Sequence, residues 1–390
     1  MRTFIAVMIL AGVALNGCDI NFPNQEMDLA GSGRTRPFAV VCDPAEAAPG
    51  ETVTARLYFY EPSPEALAID WTVALDYDMG LYETDEVERN FVEPDIVWDP
   101  EFDAYGFGTQ SIVFTIPEDV LLTTSSHPDV IEDELILTLA RPLLGLEADK
   151  PVPRAAIVEL LATADPLANP DIDTQAFLWL SDIFACRIRF RASMHSDVVV
   201  DVVKNLTVRY SRRNMSLNVN ENTRLHISSI LAIPHPDVAY DDVYDFLEES
   251  INFNFDDPGD IRIPAHADWT YYLTRSLGLQ TYTSPFAAGE EGVGSVGGFQ
   301  ERYNLNWYGF DMTNPGSGHP LFLAEDGDEA EMNDLTDAAR IQPPLDGAER
   351  TFRVVGVLRD VRMEWQMYGF APGASVDEAV FTFVPPDPFE

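Results

Sequence analysis

"AAPGETVTARLYFY", residues 47–60, decides the fold. Pro49-Gly50 makes a turn, because proline presets its own φ and glycine tolerates a positive one. After it Val53, Ala55, Leu57 and Phe59 alternate with Thr52, Thr54, Arg56 and Tyr58. A period of two is that of a strand with one face turned inward. The same grammar extends on both sides. "PFAVVCD" (37–43) precedes it, "AIDWTVALDYD" (68–78) follows with Trp71 inside a strand, and "SIVFTIPEDV" (111–120) is stopped by Pro117. Short apolar or alternating runs, separated by Pro, Gly, Asn and Asp, predict an all-β chain.

Candidate strands cover 38–42, 51–60, 68–77, 108–116, 133–140, 183–192 and 198–210. "RAAIVELLATA" (154–164) reads as a short helix, with strand as the alternative. At "SRRNMSLNVNEN" (211–222) the alternation lapses, which marks a boundary. Beyond it "TRLHISSILAI" (223–233), "WTYYLT" (269–274), "RYNLNWYGF" (302–310), "TFRVVGVLRDVRMEWQMYGF" (351–370) and "AVFTFV" (379–384) read as strands. A helix is expected over 241–251, with Val243, Phe246, Leu247 and Ile251 on one face.

The turn "PGETV" opening a second strand, with Trp71 on a third, resembles bacterial immunoglobulin-like domains. The later "LNWYGF" (305–310) and "RVVGVLRDVRMEW" (353–365) resemble the polycystic-kidney-disease-type variant of that sandwich, although the Gly-Asp-Gly turn is missing after Phe310. The resemblance implies two tandem immunoglobulin-like β-sandwich domains, at 37–213 and 214–390. The first carries two long extras, 78–106 and 142–180.

The N-terminus has its own grammar. Arg2 is followed by an uncharged apolar run, Phe4 to Leu15, too short to span a bilayer, which needs about 20 residues. Leu15-Asn16-Gly17-Cys18 resembles the bacterial lipobox. That resemblance implies a signal peptide over 1–17, lipid on the Cys18 thiol, and a flexible tether over 18–36. Asp19 resembles the signal that retains some lipoproteins in the inner membrane. The outer membrane or cell surface is the favoured location otherwise.

The chain carries 24 basic and 65 acidic residues, a formal charge of −41, and only two lysines, Lys150 and Lys204. Nucleic-acid binding requires a basic patch that displaces counterions, and the densest basic cluster in the sequence is Arg209, Arg212 and Arg213. Nucleic acid and anionic headgroups are therefore excluded as partners, which leaves membrane contact to the lipid at Cys18. With Cys18 lipidated, Cys42 and Cys186 remain, and an exported chain is expected to pair them. Two buried thiols are the alternative.

Motifs for chemistry are scarce. "GVGSVGG" (292–298) matches a dinucleotide-binding glycine pattern but lacks the strand before and the helix after. Ser295 fails as a nucleophile elbow because Val293 stands where glycine is required. His127, His235 and His319 precede prolines; His195, His226 and His266 are isolated. No cofactor is expected. Calcium is the cation whose oxygen chemistry two acidic loops suit, "NFNFDDPGD" (252–260) and "EDGDEAEMND" (325–334), though neither has helix-loop-helix ligand spacing. The sequons at Asn205 and Asn214 matter only in a eukaryotic secretory pathway. The expectation is a lipid-anchored envelope protein, non-enzymatic, that presents loops such as 78–106 and 284–300 to a protein or glycan partner. A secreted carbohydrate-active or other hydrolytic enzyme using a carboxylate pair is the alternative.

Overall fold

A computed structural model describes residues 35–75, 91–123, 127–166, 168–196, 199–210, 221–257, 259–278, 281–283, 298–300, 303–314, 321–322, 338–360 and 373–386. Among the described residues 48% are in strands and 16% in helices, a predominantly β structure with several antiparallel and mixed sheets.

The chain begins with β1 (Arg36–Asp43), β2 (Glu46–Ala47), β3 (Thr52–Tyr60), β4 (Ala68–Ala74), β5 (Phe91–Val92), β6 (Ile96–Val97), β7 (Glu101–Phe102) and β8 (Phe107–Thr115). The 48–51 turn closes through Glu51 N–H donating to Ala48 O at 3.1 Å, with Gly50 at φ 78°. Strand β3 then buries Val53, Ala55, Leu57 and Phe59 and turns Thr52, Thr54, Arg56 and Tyr58 to the other face, as its period requires.

Next come α1 (Val120–Thr123), β9 (Val130–Ile131), α2 (Glu134–Leu144), β10 (Val152–Pro153), α3 (Arg154–Thr163) and α4 (Thr174–Ile183). The expected helix at 154–164 is α3. The strand expected at 133–140 is instead helix α2. A continuous apolar run does not distinguish strand from helix by period; the ends do. Asp133 Oδ1 accepts from Leu135 N at 2.9 Å and Ile136 N at 3.1 Å, and Gly145 closes the other end at φ 64°. For the same reason the strand expected from 183 begins only at Cys186, once α4 has ended.

The chain returns through β11 (Cys186–His195) and β12 (Val199–Val208). The first sheet has the order β1-β3-β8-β6, with β7 also on β8, and the second β2-β12-β11-β4-β5. β1 is antiparallel to β3, whereas β2, only two residues later in the chain, is parallel to β12 in the second sheet. Both sheets and the helices share one core: Leu57 and Ile112, Phe190 and Leu206, and from the helices Ile136, Ile157, Leu161 and Phe177. The helical extra is thus part of the core.

The remainder contains β13 (Arg224–Ile233), β14 (Ile251–Asn254), β15 (Arg262–Pro264), β16 (Thr270–Gly278), the small pair β17 (Thr281–Thr283) and β18 (Gly298–Gln300), β19 (Tyr303–Asp311), β20 (Ala338–Ile341), β21 (Arg350–Asp360) and β22 (Ala374–Val384). The third sheet runs β14-β13-β16-β20 and the fourth β15-β22-β21-β19. The chain again crosses between them early, β13 antiparallel to β16 and β15 parallel to β22. Their shared core includes Ile230, Leu273, Trp307, Phe352 and Phe381. Gly356 lies opposite Trp307, and a Cβ there would fall 2.6 Å from Leu225 and 2.8 Å from the indole.

The helix expected at 241–251 is a 3-10 segment, Tyr240–Phe246, followed by strand at Ile251. Three residues per turn place Val243 and Phe246 on one side, against Leu231 and Tyr272, while Leu247 and Ile251 are exposed. The boundary expected at 211–222 lies, apart from its last two residues, outside the described residues.

Candidate functional site

The two sheet pairs do not follow one another as separate beads. A third apolar cluster joins them, with Phe38, Ala39 and Phe107 from the outer face of the first sheet and Phe310, Val355 and Val357 from the outer face of the fourth. The layers therefore stack in the order second, first, fourth, third. Phe107 is central. Its ring lies 4.8 Å from that of Phe310, edge to face, and 5.0 Å from that of Tyr60.

One arginine locks this joint. Arg353 on β21 is nearly buried, its guanidinium 4.0 Å from the centre of the Phe107 ring. Its Nε and Nη2 donate to Glu378 at 3.0 and 2.6 Å, and Nη1 donates to Asp103 across the joint. The planar fork satisfies a carboxylate on its own sheet, one on the other pair, and an aromatic face together, which lysine could not do. Around it Arg359 Nη2 donates to Phe38 O at 2.7 Å. Asn222 Nδ2 donates to Cys42 O at 2.7 Å while its Oδ1 accepts from Ala374 N at 3.2 Å.

A second arrangement was missed by the sequence reading. Arg187, Arg189 and Arg191 alternate with buried Cys186, Ile188 and Phe190 along β11, so all three lie on the outer face of the second sheet. Arg191 is paired with Asp201, which also accepts from Ser193 at 2.7 Å; these bonds hold the Asp201 carboxyl below the usual carboxylate range. The signal was present in "CRIRFRAS" as strict alternation of arginine with apolar residues. Of the cluster expected from sequence, Arg209 is withdrawn into a buried pair with Glu46, and Arg212 and Arg213 lie outside the described residues.

The structure does not bring the histidines together. His195 lies 3.2 Å from Asp70, His226 between Asp256 and Asp377, and His235 2.7 Å from Glu249. His266 stacks on Trp269, and the His127 ring lies tilted against Phe184 at 4.7 Å; His319 lies outside the described residues. Of the stretch 252–260, the first three residues end β14 and a turn follows in which Asn254 Oδ1 accepts from Asp256 N at 2.9 Å, while residue 258 lies outside the described residues. Among the described residues no group of three or more His, Cys, Asp or Glu side chains is placed to hold a metal. The loop 325–334, Ser295 and all but the last glycine of 292–298 lie outside the described residues. So do Cys18, Asp19 and the sequon Asn214. Asp346 and Glu349 are also held below the ordinary carboxylate range, chiefly by hydrogen bonds from the Ala348 amide and from Arg262 respectively.

Cys42 and Cys186, expected to pair, are both buried in the structure. Cys42 is on the edge strand of the first sheet and Cys186 on the central strand of the second, each facing the common core from a different layer. A bridge requires Cβ atoms within about 4.5 Å and facing, which compartment alone does not supply.

Burial pushes the Cys42 thiol from 9.0 up to about 12. The folded thiol keeps its proton where the unfolded one has lost it, so its contribution to stability is complete below pH 9 and declines as pH rises toward 12. Tyr271 is also pushed up, to about 12, and acts in the same direction. The expected result is a falling urea midpoint above pH 9 whose slope is shallower in Cys42→Ala; equal slopes in the two proteins would contradict it. No protein-family model matches the chain, and no curated protein matches it.

Proposed function

We propose that the chain is a lipid-anchored bacterial envelope protein, non-enzymatic, built of two immunoglobulin-like sandwiches that act as one rigid scaffold for binding a protein or glycan partner. The observation that carries the scaffold reading is the joint. A tandem pair that only needed a spacer would leave Phe38, Phe107, Phe310, Val355 and Val357 facing water, whereas these residues are buried against one another. Interfaces between domains of one chain are ordinarily polar and permit relative motion; an apolar joint closed by a buried arginine resists it.

The sandwich reading is supported by strand order. In both pairs a first strand lies antiparallel in one sheet, then the chain crosses so that a short strand runs parallel to the last strand of the other. Trp71 lies on the third long strand of the first pair, its Nε1 donating to Gln110 Oε1 at 2.8 Å. The anchor rests on Leu15-Asn16-Gly17-Cys18 alone. With the chain at −41, attraction to anionic headgroups cannot substitute for acyl chains.

Two measurements test the reading. Cys18→Ser is expected to move the protein from the membrane to the soluble fraction of its host; unchanged membrane association would remove the anchor. For the scaffold, the purified protein is expected to retain a partner from envelope extracts and to leave a panel of glycans intact. Hydrolysis of any of them would replace binding with catalysis.

A further inference from the structure

We propose that the ribbon 91–105 is a docking surface for an extended, cationic stretch of polypeptide on a partner protein. The proposal rests on the binding reading above and specifies the partner's chemistry. "FVEPDIVWDPEFDAY" leaves the edge of the second sheet at β5, passes to β6 at the edge of the first, and continues along β8 through β7. Within these fifteen residues Phe91, Ile96, Val97, Trp98 and Tyr105 are between 48 and 61% exposed. They are five of the fourteen large apolar side chains exposed among the described residues, and exposed apolar surface concentrated in one segment marks interaction sites.

The ribbon is also one-signed. Glu93, Asp95, Asp99 and Glu101 are exposed, Asp103 is already paired with Arg353, and no lysine or arginine occurs between 91 and 105. Lysine and arginine side chains suit both features at once, since the charge sits over an aromatic face while carboxylates accept its N–H groups. A neutral glycan would use the rings and leave the carboxylates without a complement. A second copy of the chain would bring a further net charge of −41.

The backbone is already held for binding. Asp95 N donates to Val113 O at 2.8 Å and Trp98 N to Ser111 O at 3.0 Å. Gln110 Nε2 donates to Trp98 O at 2.9 Å while its Oε1 accepts from Trp71. Little ordering remains to be done on association, and a terminal strand can accept another strand beside it.

The test titrates the full-length chain with a labelled short peptide alternating lysine and valine, a matched glutamate-valine peptide, and neutral oligosaccharides. The lysine peptide is expected to bind, more weakly as salt rises. Trp98→Ala, and separately the triple change Glu93→Gln, Asp99→Asn and Glu101→Gln, are expected to weaken it about tenfold. Tyr244→Ala, an exposed ring elsewhere, leaves it unchanged. Far-UV spectra matching the parent keep each variant interpretable. Equal binding of the glutamate peptide, affinity unaffected by both ribbon variants, or capture of an oligosaccharide instead would overturn the proposal. So would a concentration-dependent dimer abolished by Trp98→Ala, in favour of self-association. If neither peptide binds while an envelope partner is still retained by Trp98→Ala, the ribbon fails and the broader binding reading stands.

Discussion

Replacing Arg209 with methionine is expected to destabilise the protein by about 3–5 kcal/mol, the usual consequence of removing one partner from a buried ion pair. The Glu46 side chain is fully buried and that of Arg209 is 3% exposed, so neither charge is screened by water. The guanidinium binds both carboxylate oxygens, Nη2 to Oε2 at 2.9 Å and Nε to Oε1. Location adds to the effect. Glu46 lies on β2, which joins the second sheet only through its parallel contact with β12, where Arg209 N donates to Ala47 O at 3.0 Å. Methionine keeps the apolar stem and takes the guanidinium away from a fully buried carboxylate, which must then take a proton or be solvated another way. The double variant Arg209→Met with Glu46→Leu should recover most of the loss, because apolar replacements of a whole buried pair are often neutral or stabilising. Urea unfolding followed by tryptophan fluorescence measures both. A double variant as unstable as the single would show that shape, and not charge burial, is what the pair contributes.

Strands were legible where one face is wet and the other dry. β3 alternates cleanly, and the sequence places its inward residues correctly. Legibility failed where chemistry on the polar face was decided by a distant segment. Tyr58 and Tyr60 look like solvent-facing residues of β3, yet they pack under the fourth sheet, contributed by residues some 250 positions later. A local signal did exist. "FRVVGVL" (352–358) is apolar with little alternation, which is how a strand covered on both faces reads. Helix α2 was misread because its apolar residues form a run, and only Asp133 and Gly145 at its ends carried the answer. At the candidate site the acidic character of 78–106 was legible, but which of its side chains stay in water was not, because exposure depends on the sheet edges that β5 and β6 reach.

Phe107→Ala is expected to cost about 3–5 kcal/mol and, more informatively, to uncouple the two sheet pairs. The ring is 6% exposed and contacts Phe38, Tyr60, Phe310 and the Arg353 guanidinium, so its removal opens a cavity bounded by groups from both sides of the joint. Arg353 should matter less. Its carboxylate partners Asp103 and Glu378 are 34 and 52% exposed, and water can take over part of their solvation when the guanidinium is removed. Arg353→Met is therefore expected to cost about 1–2 kcal/mol, less than the ring although the ring makes no hydrogen bond. Calorimetry separates stability from coupling. The parent should melt in one transition, because unfolding either pair exposes the apolar face of the other, and Phe107→Ala should melt in two. Two transitions in the parent would mean that the pairs fold independently and that the joint does not enforce a common geometry. A single transition in both proteins, with only the midpoint lowered, would locate the coupling in the hydrogen bonds of Arg359 and Asn222 to the backbone of β1. Rigidity would then come from backbone capture by polar side chains, with the aromatic cluster contributing bulk stability.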